Sequence, residues 1–76
     1  MAMADVQIDM EHTLYEQMAA LCANLGTTVE AMAVVRFCEE FVRMEAPPVP
    51  ELYASMSVED RINFIAQNIL REYNSK

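Results

Sequence analysis

The chain has 76 residues, enough for one domain but too few for a large core, so its stability must rest partly on a disulfide, a metal or a second chain. Hydrophobic residues make up 54% of it and aromatic residues 8%, more aliphatic surface than one small core can hide, which favours a dimer or a partner. The net charge of −7 argues against the class of proteins that bind nucleic acid through a basic patch.

Neither a disulfide nor a metal is favoured as the stabilising element. Cys22 and Cys38 both fall in apolar helical patterns and are predicted to be free, buried thiols in a reducing cytosol, with their pairing in one disulfide left open. His12 has no second ligand at zinc spacing, so we expect no metal and no cofactor. Because we find no signal peptide and no apolar run of membrane-spanning length, we expect a cytoplasmic protein with no membrane contact.

The first predicted element is a short β-strand over residues 5–10. Val6, Ile8 and Met10 alternate with polar residues, and this period of two is typical of a half-buried strand. The chain offers no second strand that could satisfy the backbone groups of the first. We therefore expect the strand to pair with the same strand of a second copy, with Val6, Ile8 and Met10 as the core of that ribbon.

A first helix is predicted from Thr13 to Asn24. Thr13 and Glu16 have the spacing of a capping box, in which each side chain satisfies a backbone donor of the other residue. The predicted apolar stripe consists of Leu14, Met18, Leu21, Cys22 and Leu25. Gly26 is the only glycine in the chain and follows where a left-handed helix stop is expected.

A second helix is predicted from Thr28 to Met44, because Thr27 and Glu30 repeat the capping form. Its predicted buried stripe consists of Ala31, Val34, Val35, Cys38, Phe41 and Val42. The prolines that follow cannot donate to a helix and disfavour helical backbone in the residue before them. Residues 47–56 are therefore predicted to form an extended, proline-containing linker.

A third helix is predicted within residues 57–76, with Ser57 as its N-cap and acidic residues in its positive first turn. Apolar residues then recur at helical spacing: Ile62, Ile65, Ile69 and Tyr73. This stripe either folds back onto the chain's own dimer or forms an amphipathic helix that fills a groove on a partner. The sequence leaves both alternatives open.

Four short segments carry a resemblance to a known family: Val6-Gln7-Ile8-Asp9, Leu25-Gly26-Thr27-Thr28, Phe37-Cys38-Glu39-Glu40-Phe41-Val42 and Pro47-Pro48. Together they resemble the antitoxins of the RelB/DinJ type, within the ribbon-helix-helix class of transcriptional regulators, over roughly residues 4–50. The resemblance implies a mainly α-helical fold with one short N-terminal strand paired across a homodimer, then two helices. Residues 1–46 would form that dimerisation region, and residues 57–76 would add a C-terminal amphipathic helix.

In that family the ribbon enters the major groove of DNA, and the region after helix two binds and silences a toxin that typically cleaves RNA. By position, the resemblance places Gln7 on the outward face of the ribbon. It places Thr27 and Thr28 at the start of helix two, where backbone amides can hold a phosphate. Asp5 and Asp9 on the ribbon depart from the family pattern, because carboxylates near phosphates oppose binding. DNA binding is therefore expected to be weak.

These features predict a non-enzymatic, antitoxin-like regulator that acts as a homodimer and neutralises a basic partner toxin. We find no nucleophile motif, acid–base pair or nucleotide-binding loop, and an acidic protein is steered toward a basic partner. The alternative is a stand-alone acidic inhibitor of the phage anti-defence type, which blocks the nucleic-acid site of a basic protein. A neighbouring toxin gene would favour the first hypothesis, and a phage setting the second.

Overall fold

The computed structural model describes residues 8–75, which are mainly α-helical, as predicted. Helix α1 is His12–Leu25, α2 is Val29–Met44, α3 is Glu51–Ala54 and α4 is Val58–Asn74. Helix α2 is continuous but contains a π-helical turn at Ala33–Phe37, where the Cys38 amide donates to the Ala33 carbonyl five residues back. Residues 8–75 contain no β-strand, and Asp5, Val6 and Gln7 of the predicted strand lie outside this range.

Helix α1 begins at His12, one residue before the predicted cap at Thr13, so the predicted capping box is wrong. Glu11 occupies the N-cap position without a side-chain capping bond. Its own backbone N–H donates to Oδ1 of Asn63 at 3.0 Å, and Asn63 belongs to α4. The start of α1 is therefore fixed by a distant residue, and a local motif does not set it.

The end of α1 follows the prediction. Gly26 is left-handed, with φ 76°, and its N–H donates to the Ala23 carbonyl at 3.2 Å. The Thr27 N–H donates to the Cys22 carbonyl at 2.8 Å, which completes a Schellman motif. The chain turns here by 89° between α1 and α2.

No single helix within residues 8–75 is long and apolar enough to cross a membrane. Helices α1 and α2 together reach the length and hydrophobicity of a membrane span, but they do so only as a pair bent by 89°.

The predicted serine cap of α4 is confirmed, whereas the cap of α2 is Thr28, one residue after the predicted Thr27. Thr28 Oγ1 accepts from the Ala31 N–H at 3.1 Å at the start of α2. Ser57 Oγ accepts from the Asp60 N–H at 3.1 Å at the start of α4. Each hydroxyl satisfies a backbone donor that has no partner inside its helix.

The predicted extended linker is only partly extended. Residues Glu51–Ala54 form one helical turn, α3, directly after Pro50. Proline is compatible with a helix start because the first backbone N–H groups of a helix have no intrahelical acceptor. The Tyr53 ring of α3 packs edge-on against Phe64 of α4, with ring centroids 5.7 Å apart. The linker is thereby held against the last helix.

The hydrophobic core lies where α1, α2 and α4 meet. Its largest fully buried side chains are Met18, Cys22, Ile65 and Ile69. The other buried apolar residues are Leu14, Val29, Met32, Ala33, Phe37, Met44 and Ala66. Complete burial of a large aliphatic side chain contributes about 1.5–3 kcal/mol, so α4 is a principal source of stability.

Two ion pairs align α4 with α2. Arg61, near the start of α4, forms an ion pair with Glu45 and donates from Nη2 to the Tyr53 carbonyl at 2.9 Å. Arg36 Nη2 lies 3.1 Å from Oε1 of Glu72, near the end of α4. The start of α4 thus lies beside the end of α2, and the two helices run antiparallel.

We expect Ile69→Ala to lower the free energy of unfolding by about 2–5 kcal/mol, because it removes a buried side chain and leaves a cavity. The matched control is Val58→Ala in the same helix, where the valine is 63% exposed. This control should change the free energy of unfolding by no more than about 0.5 kcal/mol. Urea denaturation measures both. Equal effects of the two variants would mean that α4 does not belong to the core.

Candidate partner-binding surfaces

Helix α2 carries an apolar face that the rest of residues 8–75 leaves largely uncovered. We call Val34, Val35, Cys38, Phe41 and Val42 the outer face of α2. The three valines are 43%, 58% and 72% exposed in that order, Cys38 is exposed, and Phe41 is half-buried. These residues belong to the stripe that was predicted to be buried, and that prediction is wrong.

The face of α2 that is buried contains charged residues. Val29, Met32, Ala33, Phe37 and Met44 point into the core, with Arg36 and Glu40 half-buried among them. The Arg36 guanidinium pairs with Glu72, and Glu40 pairs with Arg43 at 3.0 Å. Long charged side chains cover apolar surface with their stems while their ends stay paired or wet. The sequence signal that was missed is that α2 is apolar on two opposite sides.

Beside the outer face lies an apolar groove of about 200 Å³. Its walls include Ile8, Val34, Phe37, Cys38, Phe41 and Ile62. Ile8 was predicted to belong to the ribbon core, and here it adjoins the outer face of α2. Met10 is half-buried against the chain's own core, whereas Asp9 is exposed. The third predicted ribbon residue, Val6, lies outside the described residues.

The stripe that was predicted to bind a partner lies inside its own chain. Ile65 and Ile69 are each 1% exposed, and Ile62 and Tyr73 are partly buried against the same core. Of the two alternatives left open by the sequence, the described chain has the stripe folded back. A partner could take this stripe only by opening the core.

A second group of exposed apolar residues lies on the linker and the first turn of α4. Val49, Leu52 and Val58 are large and exposed, and three exposed carboxylates lie between and beside them in the sequence. Those carboxylates are Glu51, Glu59 and Asp60, and none of them forms an ion pair within residues 8–75. We call these six residues the linker surface. It combines apolar contact area with negative charge.

At the start of α2, where the resemblance places a phosphate, two backbone amides are bonded within the chain. The Thr27 amide is bonded to the Cys22 carbonyl, and the Ala31 amide is bonded to the Thr28 hydroxyl. Glu30 adds a carboxylate to the same helical turn. An incoming phosphate would meet a like charge, and two of the nearby amides already have acceptors. Gln7, the predicted base-reading residue, lies outside the described residues.

A short hydrogen bond keeps Glu30 ionised. The Tyr15 hydroxyl donates to Oε2 of Glu30 at 2.5 Å. This bond lowers the pKa of the Glu30 carboxyl and, together with burial, raises the pKa of the Tyr15 phenol. The carboxylate at the start of α2 therefore stays charged to lower pH than an isolated glutamate.

The basic residues of the described chain are largely neutralised by its own carboxylates. Arg36, Arg43 and Arg61 pair with Glu72, Glu40 and Glu45. By contrast, seven carboxylates have no ion-pair partner within residues 8–75: Asp9, Glu11, Glu30, Glu39, Glu51, Glu59 and Asp60. The positive charge of three arginines is therefore offset locally, and the net negative charge is carried mainly by these unpaired carboxylates.

The two cysteines are free and lie in different environments. Cys22 is buried as predicted, with Sγ 3.8 Å from Sδ of Met32, and burial together with the nearby Glu30 charge raises the pKa of its thiol. The prediction that Cys38 is buried is wrong, because it lies on the outer face of α2. Thiol reagents should therefore reach Cys38 before Cys22.

Comparisons with models of protein families, with curated proteins and with solved structures find no match to this chain. Within residues 8–75, no three or more His, Cys, Asp or Glu side chains are grouped so as to hold a metal ion. His12 forms an exposed contact of 3.2 Å with Glu16 in the next turn of α1. The outer face of α2 and the linker surface are therefore the features from which function can be argued.

We expect Tyr15→Phe to raise the pKa of Glu30, because the phenol that holds the carboxylate is removed. NMR titration of the Glu30 carboxyl carbon measures this shift. A carboxyl whose pKa is lower in the folded state stabilises the fold above its unfolded pKa, and this stabilisation is lost as the pH falls through the folded pKa. The stability difference between Tyr15→Phe and the parent should therefore be largest near neutral pH and shrink in acid. An unchanged Glu30 pKa would contradict the hydrogen bond.

Proposed function

We propose that this protein is a dimeric, antitoxin-like regulator of the ribbon-helix-helix type that binds and neutralises a basic protein. The observation that carries the proposal is the difference between the positive and the negative side chains in their ion pairing. Three of the arginines are paired within the chain, whereas the carboxylates of the linker surface are exposed and have no ion-pair partner within residues 8–75. Such a surface attracts a cationic partner and raises its association rate.

The order of elements supports the ribbon-helix-helix part of the proposal. A short alternating segment precedes α1, a left-handed glycine ends α1, and a threonine-capped helix leaves at 89°. In the proposed dimer, residues 5–10 pair with the same residues of a second copy, which would satisfy their backbone groups. Ile8, already beside α2, would lie at the base of that ribbon.

We place the partner contact on the linker surface and not on the stripe of α4. Withdrawing Ile65 and Ile69 from the core would forgo about 1.5–3 kcal/mol for each side chain. The linker surface needs no such opening, because Val49, Leu52 and Val58 are exposed in the folded chain. Exposed apolar side chains beside carboxylates suit a basic partner that also offers apolar contact.

The decisive experiment is expression of the gene that adjoins this one in its native genome. We expect its product to be a small basic protein that arrests growth, and co-expression of this chain to restore growth. The purified proteins should co-elute. If the neighbour is harmless and the chain instead inhibits a basic nucleic-acid enzyme, the acidic-inhibitor alternative replaces the antitoxin proposal.

Charge on the linker surface should control the association rate with the partner. We expect the triple variant Glu51→Gln, Glu59→Gln and Asp60→Asn to associate about tenfold more slowly at low salt, with a smaller difference at high salt. The control variant removes the same charge elsewhere: Asp9→Asn, Glu11→Gln and Glu16→Gln. Stopped-flow or biosensor kinetics measure both. Equal slowing by the two variants would move the contact away from the linker surface.

Binding to DNA should be weak, with a dissociation constant no tighter than about 10⁻⁴ M for nonspecific duplex at physiological salt. The ribbon carries Asp5 and Asp9, and the start of α2 carries the ionised Glu30. Replacing both ribbon aspartates with asparagine should tighten binding in a fluorescence-anisotropy assay. Nanomolar binding of the parent to an operator would show that charge has been weighted too heavily.

A further inference from the structure

We propose that the outer face of α2 is the contact surface for a second copy of this chain, with the two α2 helices crossing antiparallel at Cys38. The inference rests on the dimer in the proposed function and adds where the two copies meet. It starts from the two apolar sides of α2. A helix that is apolar all round is normally covered all round. The chain's own α1 and α4 cover one side, and the other side remains exposed.

The spacing of the outer face is symmetric about Cys38. Val34 and Val42 are each four residues away from it, and Val35 and Phe41 are each three residues away. In an antiparallel contact with the two-fold axis at Cys38, Val34 of one copy faces Val42 of the other, and Val35 faces Phe41. Contacts across a two-fold axis must be reciprocal in this way. A partner of different sequence places no such demand on α2.

The outer face of α2 and the linker surface differ in charge, and this difference indicates which partner suits each of them. All five residues of the outer face are uncharged, whereas the linker surface carries three carboxylates. Two chains of net charge −7 repel each other, so self-association is least opposed across an uncharged face. A basic partner gains most at the linker surface instead. The uncharged face therefore suits the second copy.

The size of the face indicates that it is one part of a larger interface. Helix α2 is about 24 Å long and its face about 10 Å wide, which gives only a few hundred Å² of contact. A stable interface buries roughly 800 Å² on each partner. Ile8 lies in the groove beside the outer face, so the segment that leads into the proposed ribbon is continuous with it. Ribbon and outer face together can reach the required area.

The first test is Val42→Lys, measured by the concentration dependence of light scattering. The control is Val58→Lys, at a valine that is 63% exposed against 72% for Val42. Both variants reduce the net charge from −7 to −6 and so weaken repulsion between copies. We expect Val42→Lys to weaken the dimer at least about 30-fold, as for a buried interface residue, and Val58→Lys to change it by less than about twofold. Circular dichroism should show unchanged helicity for Val42→Lys, because Val42 lies near the C-terminal end of α2, where a cation is favourable.

The second test uses Cys38 itself. Mild oxidation should link two parent chains through Cys38, and Cys38→Ser should abolish the link. On the Cys38→Ser background, chains with Val34→Cys should link to chains with Val42→Cys in a mixture, and neither should link to itself. A disulfide requires Cα atoms within about 7 Å, so this pattern reports the antiparallel register. Ala20→Cys on the same background, exposed on α1, measures linking by collision.

Each outcome separates this inference from the proposed function. A monomer at all accessible concentrations would overturn both. A dimer that resists Val42→Lys and does not link through Cys38 would leave dimerisation standing and overturn the outer face as its site. Chains with Val34→Cys that link to themselves would overturn the antiparallel register.

Discussion

Helix α2 is apolar on two opposite sides, and so short a chain can cover only one of them. The inner side holds the core together, because Phe37 and Met44 pack where α1 and α4 converge. The outer side remains for contacts outside the chain. Small domains bury a low fraction of their surface and depend on association for further stability. The core, the exposed groove beside Ile8 and the proposed dimer all follow from this one helix.

The arrangement of charge follows from the same packing. Arg36 and Arg61 lie at the edges of the core, where an unpaired charge would be costly, and each finds a carboxylate on a neighbouring helix. Pairing supports the antiparallel alignment of α2 and α4, and in each pair one positive charge is offset by one negative charge. The carboxylates without an ion-pair partner in residues 8–75, among them Glu51 and Glu59, make the net surface charge negative. Internal packing thus shapes which partners the exterior attracts.

What the sequence predicted correctly depends on contacts between near neighbours. The Ser57 cap joins atoms three residues apart, the Gly26 stop is equally local, and the threonine cap of α2 lies only one residue from its predicted position. The errors concern long-range contacts. The start of α1 is set by Asn63, 52 residues away.

Dependence on long-range contacts also explains two features that the sequence could not predict. These are which side of α2 is buried and what covers the apolar stripe of α4. Arg36 can lie at the core because Glu72, 36 residues away, pairs with it, so the more apolar side of α2 is left outside. The stripe of α4 was found from its spacing, but what covers it depends on how α1 and α4 pack.

Helix α4 covers the inner side of α2 within one chain, a role that a partner protein would otherwise have to take. It also anchors the linker surface, since Arg61 bonds the Tyr53 carbonyl and Phe64 packs on the Tyr53 ring. A surface held in this way loses little conformational freedom on binding, so partner recognition need not begin by opening the core.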